Sequence, residues 1–361
     1  MELFMTTVQE KVEYVVATDQ PVITADVCAD IGNARAVVLV REDGADVPTA
    51  ITMPAVRSLI GAFSWEVFAG RNLPAGSWGK LRSDDHIIER AGHERFLGRL
   101  AVERSAAASS GRGSDARYYD GTTLDFILAG IAAALPGAIK ASVRLTTMLP
   151  ISLWHLAPKV SESLKGAHKF TYNGRAVVVT ILSVAVRREA EAAHVGLDGD
   201  TGGRILLVDI GGRTVNLALF NNGEYRAGST LELGVEAALD NLDKALIGRG
   251  ARVLTLAERG ELLGALLKEA RYDYTVDGAA WRLDTEARLI FDATAAALVQ
   301  EMRAKVPVDQ AQRIVLVGGG AYPAFFGNAI KRALPAAQIS SMPELANAYG
   351  ALGATRKGKK K

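Results

Sequence analysis

Cysteine occurs once in this chain of 361 residues, at Cys28, so no disulfide can form within it. A lone cysteine in an apolar run suits a small core residue in a reducing compartment. Aromatic residues are only 6% of the chain, and Trp65, Trp78, Trp154 and Trp281 are scattered, as packing residues are. The five histidines, His86, His93, His155, His168 and His194, show no metal-ligand spacing, and no Cys/His cluster argues for zinc. No apolar run approaches the roughly 18 residues of a membrane span. MELFMTTVQEKVEYVV at the start lacks the basic flank and apolar core of a secretory signal, so a cytoplasmic protein is expected. Excess positive charge is scarce as well. The net charge is +2, and Arg356, Lys357, Lys359, Lys360 and Lys361 alone carry five positive charges. The body is therefore slightly acidic, which excludes a broad basic surface for nucleic acid. The tail reads as a solvated end or as an electrostatic arm.

What is present is a globular composition, 49% hydrophobic and 23% charged. The length favours two domains. PVITADVCADIG reads as a strand and ARAVVLVRED as its partner across a tight Gly32-Asn33-Ala34 turn. Residues 71–92 read as loop, and Ser105 to Asp120 as the most mobile loop. Apolar spacing predicts a helix from Gly121 to Leu135, closed by Pro136 and Gly137. Strands follow in VRLTTMLP and AVVVTILSVAV. ILLVDIGGRTVNLALF forms a second interrupted strand pair, from Ile205 to Phe220. Helices are expected over Gly234–Leu246, Leu254–Ala270 and Thr285–Val306. RIVLVGGGA is then a strand running into glycines that open the helix AYPAFFGNAIKRAL, and PELANAYGALGA is the final helix.

Two acidic glycine turns, at Asp30–Gly32 and Asp209–Gly212, therefore interrupt two apolar strand pairs. Glycine leaves backbone N–H groups open to phosphate oxygens. An aspartate ending an otherwise apolar strand is costly without a partner, and a hydrated magnesium ion suits it. Alone, each Asp-x-Gly fits an ordinary turn. Gly318-Gly319-Gly320-Ala321 permits close backbone approach to a flat ligand or a phosphate, or is a plain strand-to-helix turn. Neither a Walker loop nor a Rossmann fingerprint is present.

The order of these elements resembles the actin-like ATPase superfamily over residues 21 to 355. LLVDIGGRTVNLALF, LVGGGA, PELANAYGALG and RFLGRLAV are most similar to its ParM-type plasmid-segregation proteins. The resemblance implies an α/β fold of duplicated ribonuclease H-like type, with two domains around a central nucleotide cleft. It implies an N-terminal extension over 1–20, a first domain over 21–182 that includes the C-terminal helix 343–355, a second domain over 183–342, and a basic tail over 356–361. It also implies that Asp30, Ile31, Gly32, Asn33 and Ala34 form a first phosphate loop. Asp209, Gly211, Gly212, Arg213 and Thr214 would form the second, and Gly318 to Ala321 the adenosine motif. Asp30 and Asp209 would hold magnesium through water, and Gly234 and Lys244 would neighbour the nucleoside. A glutamate after the strand before the second loop would position water. Here that is Glu189, with Glu191 in reserve, although Arg188 replaces the usual proline. No lysine follows Asp30 at the spacing of actin and ParM, so no phosphate lysine is assigned.

The implied function is an ATP-binding or GTP-binding ATPase that polymerises with itself into dynamic filaments for plasmid or DNA segregation. DNA contact would be indirect, through an adaptor protein bound to centromere-like DNA, and no membrane span is expected. The alternatives are a sugar-type kinase of the same fold or a cytoskeletal scaffold filament.

Overall fold

In the computed structural model, residues 21–59, 81–104, 109–110, 115–197, 202–254, 258–259, 262, 273–276, 279–322 and 326–357 are described. The extension 1–20, most of the helix expected over 254–270, and the tail beyond 357 lie outside them. The strands are β1 (Ile23–Ile31), β2 (Arg35–Glu42), β3 (Thr49–Pro54), β4 (Val56–Leu59), β5 (His86–Arg90), β6 (His93–Leu97), β7 (Ser109–Ser110), β8 (Lys140–Leu149), β9 (Gly166–Tyr172), β10 (Arg175–Arg188), β11 (Arg204–Ile210), β12 (Val215–Asn221), β13 (Glu224–Leu231), β14 (Asp273–Val276), β15 (Ala279–Arg282), β16 (Arg313–Val317) and β17 (Ala337–Ile339). The helices are α1 (Arg99–Arg104), α2 (Thr122–Ala134), α3 (Ala157–Leu164), α4 (Glu191–Val195), α5 (Val235–Gly248), α6 (Asp284–Lys305), α7 (Asn328–Ala333) and α8 (Ala346–Lys357).

One arrangement is used twice. The first sheet contains the order β3-β2-β1-β8-β10, and the five-stranded second sheet runs β13-β12-β11-β16-β17. In both, an antiparallel three-strand meander is followed by two parallel strands. The first sheet continues through β9, β5, β6, β4 and β7 to ten strands.

Strand alternation decides what each face meets. On β1, Ala25, Val27, Ala29 and Ile31 pack with α2 residues such as Phe126, Ile127 and Ile131. Cys28, of opposite parity, packs with Val37 and Leu39 of β2 against Ala348, Ala351 and Leu352 of α8. On β11, Leu206, Val208 and Ile210 join α5 and α6 in the second core. Ile205 and Leu207 face α4 through Ala190 and Ala193. Each sheet thus has an outer face covered by its own helices and an inner face covered by α4 or α8. Asp30 and Asp209 carry the inner parity on their strands, so alternation alone turns both carboxylates towards the space between the sheets.

The backbone of α8 comes close to that of α4 and of the glycine after it. A Cβ on Gly196, which follows α4, would lie 3.0 Å from the Gly350 Cα, and one on Gly350 would strike the Ala192 carbonyl. Only glycine allows this backbone-to-backbone approach.

Three sequence expectations need correction, on the strand at 86–90, the turn at 115–118 and the glycine triplet. Residues 86–90 are a strand rather than loop. Ala91 and Gly92, with φ of 52° and 74°, make the two-residue turn that joins β5 to β6. Residues 115–118, expected in a mobile loop, form a 3-10 turn that buries Arg117 and Tyr118. Position 182, where the sequence reading divides the two domains, lies within β10. Its register shifts between Ile181 and Ser183, but the strand still pairs with β8 as far as Arg188. The glycine triplet opens no α-helix: Gly319–Ala321 is a 3-10 turn and α7 begins only at Asn328. Tyr322 is extended (φ −54°, ψ 135°), as a residue preceding proline should be.

Candidate functional site

The two hairpins meet their counterpart carboxylates with the same geometry. Gly32 N donates to Arg35 O at 2.9 Å, and Gly211 N donates to Thr214 O at 2.9 Å. In register, Asp30 faces Val37 and Asp209 faces Asn216. The turns approach each other: a Cβ on Gly212 would lie 3.0 Å from Ala34 Cβ. Between them is a cleft of about 320 Å³ lined by residues of both hairpins and by Glu189, Gly318, Gly319 and Gly320.

Of the residues singled out in the sequence, Asp30, Gly32, Asn33, Ala34, Asp209, Gly211, Gly212, Thr214 and Glu189 line this cleft together with the glycine triplet. Ile31 points into the first core and Ala321 into the second. The Arg213 side chain turns to Glu232 at 3.0 Å. Gly234 buttresses the second loop, donating its N–H to Arg213 O at 2.8 Å. Lys244 is exposed on α5 and does not line the cleft. Glu191, the reserve, pairs with Arg188 at 3.0 Å. That guanidinium lies 4.1 Å from the centre of the Trp154 ring and 4.8 Å from that of Tyr225, where the expected proline would leave a gap.

Glu189 extends the β8–β10 ladder by one bond, its N–H donating to Leu149 O at 2.9 Å. Its side chain is held from the other sheet. Asn216 Nδ2 donates to Glu189 Oε2 at 2.6 Å. Asn216 Oδ1 accepts from Ile151 N at 3.2 Å and from Thr230 Oγ1 at 2.7 Å. Every atom fixing Glu189 is thus itself fixed.

Three buried carboxyls in one cleft perturb one another. Burial and the charge of Asp209 raise Asp30 to about 7. Burial raises Asp209 to about 6, opposed by a hydrogen bond from Asn347. Burial, then Asp209 and Asp30, push Glu189 well above the carboxylate range, opposed by Arg117. Such a cluster demands positive charge.

Two residues that sequence reasoning missed favour the charged carboxylates, Arg117 by its charge and Asn347 by a hydrogen bond. Arg117 is buried behind the first loop and donates from Nη1 to Gly32 O at 3.0 Å. Asn347 on α8 donates from Nδ2 to Asp209 Oδ2 at 2.8 Å and accepts from Ala190 N at 3.1 Å. A third, Arg35, forms an ion pair with Glu344, and both line the cleft. The only sequence signal for Arg117 was a cation amid small polar residues.

The donor set fits magnesium: two hard carboxylate oxygens raised in pKa by burial are relieved by a divalent cation. Gly318 leaves the room such a centre needs. Its φ is +85°, and a Cβ there would strike Asp209 Oδ1 and lie 2.5 Å from Ile210 O.

No protein-family model and no curated protein matches the chain. Solved structures do. An archaeal actin homolog, Ta0583, aligns with a TM-score of 0.73 at 16% identity, over 92% of this chain and 99% of that one. The same homolog in complex with ADP aligns with a TM-score of 0.70. A 15-stranded ParM filament from Clostridium botulinum aligns with a TM-score of 0.71 at 16% identity, over 92% and 99% of the two chains. ParM of Bacillus thuringiensis with ATP aligns with a TM-score of 0.66 at 15% identity, over 95% and 100%. Near-complete coverage in both directions, with the doubled sheet order on either side of one cleft, establishes that this chain has the actin-like fold.

Proposed function

We propose that the chain binds and hydrolyses ATP with magnesium in this cleft, and that the nucleotide state controls its assembly into filaments. The observation that carries the reading is the convergence of Asp30, Asp209 and Glu189 beneath two glycine hairpins. Tight glycine turns that bring backbone close to the cleft suit the phosphates, and Gly318 to Gly320 suit close approach of the nucleoside. The ADP-bound and ATP-bound structures that share this fold support a nucleotide. The ParM filament supports self-assembly.

Asp30 and Asp209 would hold the magnesium ion, which when bound neutralises charge on the phosphates. Asn216 occupies Glu189 Oε2, which leaves Oε1 to accept a hydrogen from the attacking water and orient it. Asn347 and Arg117 hold the cleft's acidic walls in place. Assembly would follow a head-to-tail contact that does not close, which generates an open filament. Plasmid or DNA segregation through a DNA-bound adaptor is the cellular role we assign, and the slightly acidic body suits indirect contact with DNA.

The test is sedimentation and light scattering with ATP, with ADP and without nucleotide, all in magnesium. Pelleting that depends on nucleotide is expected. Its absence, together with ADP release stimulated by a sugar, would replace the filament with a small-molecule kinase.

A further inference from the structure

The outer strands of the first sheet hold a cluster that the nucleotide cleft does not use. The antiparallel registers Arg57↔Leu97, Ile88↔Arg95 and Arg90↔His93 put Arg57, Arg90 and Arg95 on one face of β4, β5 and β6. That face also carries Ile88 and Leu97, which pack against α2 in the first core. All three guanidinium groups converge on Asp125 in the first turn of α2. Arg90 Nε lies 2.7 Å from Oδ1, and Arg57 Nη1 and Arg95 Nε lie 3.3 Å and 3.5 Å from Oδ2.

Asp125 is fully buried and cannot balance three cations. Among the described residues no second carboxylate pairs with any of them, which leaves two uncompensated positive charges. The arginine side chains keep 28%, 21% and 12% of their surface exposed, so the cluster is open to solute. Arg57 is the least committed: among the described residues, the 3.3 Å contact with Asp125 is its one hydrogen bond. Arg90 is anchored further by donating to Gly121 O at 3.1 Å. Arg95 donates to His93 O at 3.1 Å and to Arg90 O at 3.4 Å. Burial and the neighbouring Arg57 and Arg90 charges lower the Arg95 pKa despite Asp125, as expected where cations crowd together.

We propose that Arg57, Arg90 and Arg95 form a second ligand site, for a doubly charged oxyanion of the phosphate class. Guanidinium forks match the oxygens of such an anion, and its two charges equal the excess that Asp125 leaves. None of the three arginines lines the nucleotide cleft, so the proposal stands independently of the ATPase reading.

The experiment titrates inorganic phosphate into the full chain by calorimetry, at constant ionic strength with chloride as the control anion. Saturable binding is expected, weakened at least tenfold in Arg57→Gln and only partly restored in Arg57→Lys, which keeps the charge but loses the fork. Phosphate bound at the cleft would survive Arg57→Gln, so unchanged affinity in that variant overturns the proposal. Absence of saturable binding by the unaltered chain overturns it too. If Arg57→Gln then abolishes nucleotide-dependent pelleting, the arginines belong to a contact between chains instead. Asp125→Asn supplies a readout of opposite sign. It adds one net positive charge, so phosphate should raise its melting temperature more than that of the unaltered chain. An equal or smaller shift counts against the site.

Discussion

Asn347 Nδ2 lies 2.8 Å from Asp209 Oδ2, joining the first turn of the last helix to the end of a strand 138 residues earlier. The same amide accepts from Ala190 N, next to Glu189. One buried side chain therefore ties the C-terminal helix to both the candidate metal-binding carboxylate and the candidate water-positioning segment. Asn347→Leu should strand two buried partners at a cost of about 2 kcal/mol, within the range for unsatisfied buried groups. Urea unfolding of the ligand-free chain measures this, and a midpoint unchanged from the parent would refute the bridge.

Crowding of the cleft carboxyls gives a pH dependence with a definite sign. Unfolded, Asp30 and Asp209 release their protons near 3.8; folded, they keep them to about 7 and about 6. In the window between, the native state binds more protons, so ligand-free stability must fall as pH rises. Asp209→Asn removes one of these groups and relieves the other. Its stability loss between about pH 4.5 and about pH 7.5 should therefore be smaller than that of the unaltered chain. Parallel urea midpoints at the two pH values would contradict the coupling.

Glu189→Gln keeps the shape of the side chain and a carbonyl oxygen for Asn216 while removing the carboxylate. Phosphate release from ATP should slow by roughly a hundredfold or more, as for loss of a positioned acid-base group. Binding of a fluorescent ATP analogue should persist. Normal turnover would pass the role to another group, Glu191 first.

Gly318→Ala should damage the site from within. The new methyl group meets Asp209 Oδ1 and Ile210 O at a residue with φ of +85°. A cost of about 1–3 kcal/mol is expected from the backbone alone. Nucleotide affinity should fall with it, whereas Gly319→Ala, with open space at its Cβ, should be mild. Equal effects at the two positions would argue against the cradle.

Much of this was legible because it is local. Asp30 and Asp209 announce themselves as acids ending apolar strands, and the glycines beside them mark turns whatever the tertiary context. Parity then turns both acids inward without further information. Arg117 and Asn347 could not be found this way. Each acts on atoms far away in sequence, Gly32 O for Arg117 and Asp209 for Asn347, so reading one segment as a helix and the other as a loop did not disclose the contact. The strand His86–Arg90 was hidden because its charges read as solvated loop, whereas Arg90 in fact spends its charge on Asp125.

The bare crossing of Gly196 and Gly350 gives α8 a mechanical character. A helix of twelve residues is a rod about 18 Å long. This rod is pinned near its start to Asp209 through Asn347 and rests, one turn further on, on the backbone of α4. Around that point Ala192 packs with Ala348, Ala351 and Leu352, so the two helices meet through both backbone and small side chains. Beyond it, Leu352 packs on β1 and β2 and its carbonyl accepts from Arg41, so one short rod couples Asp209 of the second sheet to the strands that carry Asp30 in the first.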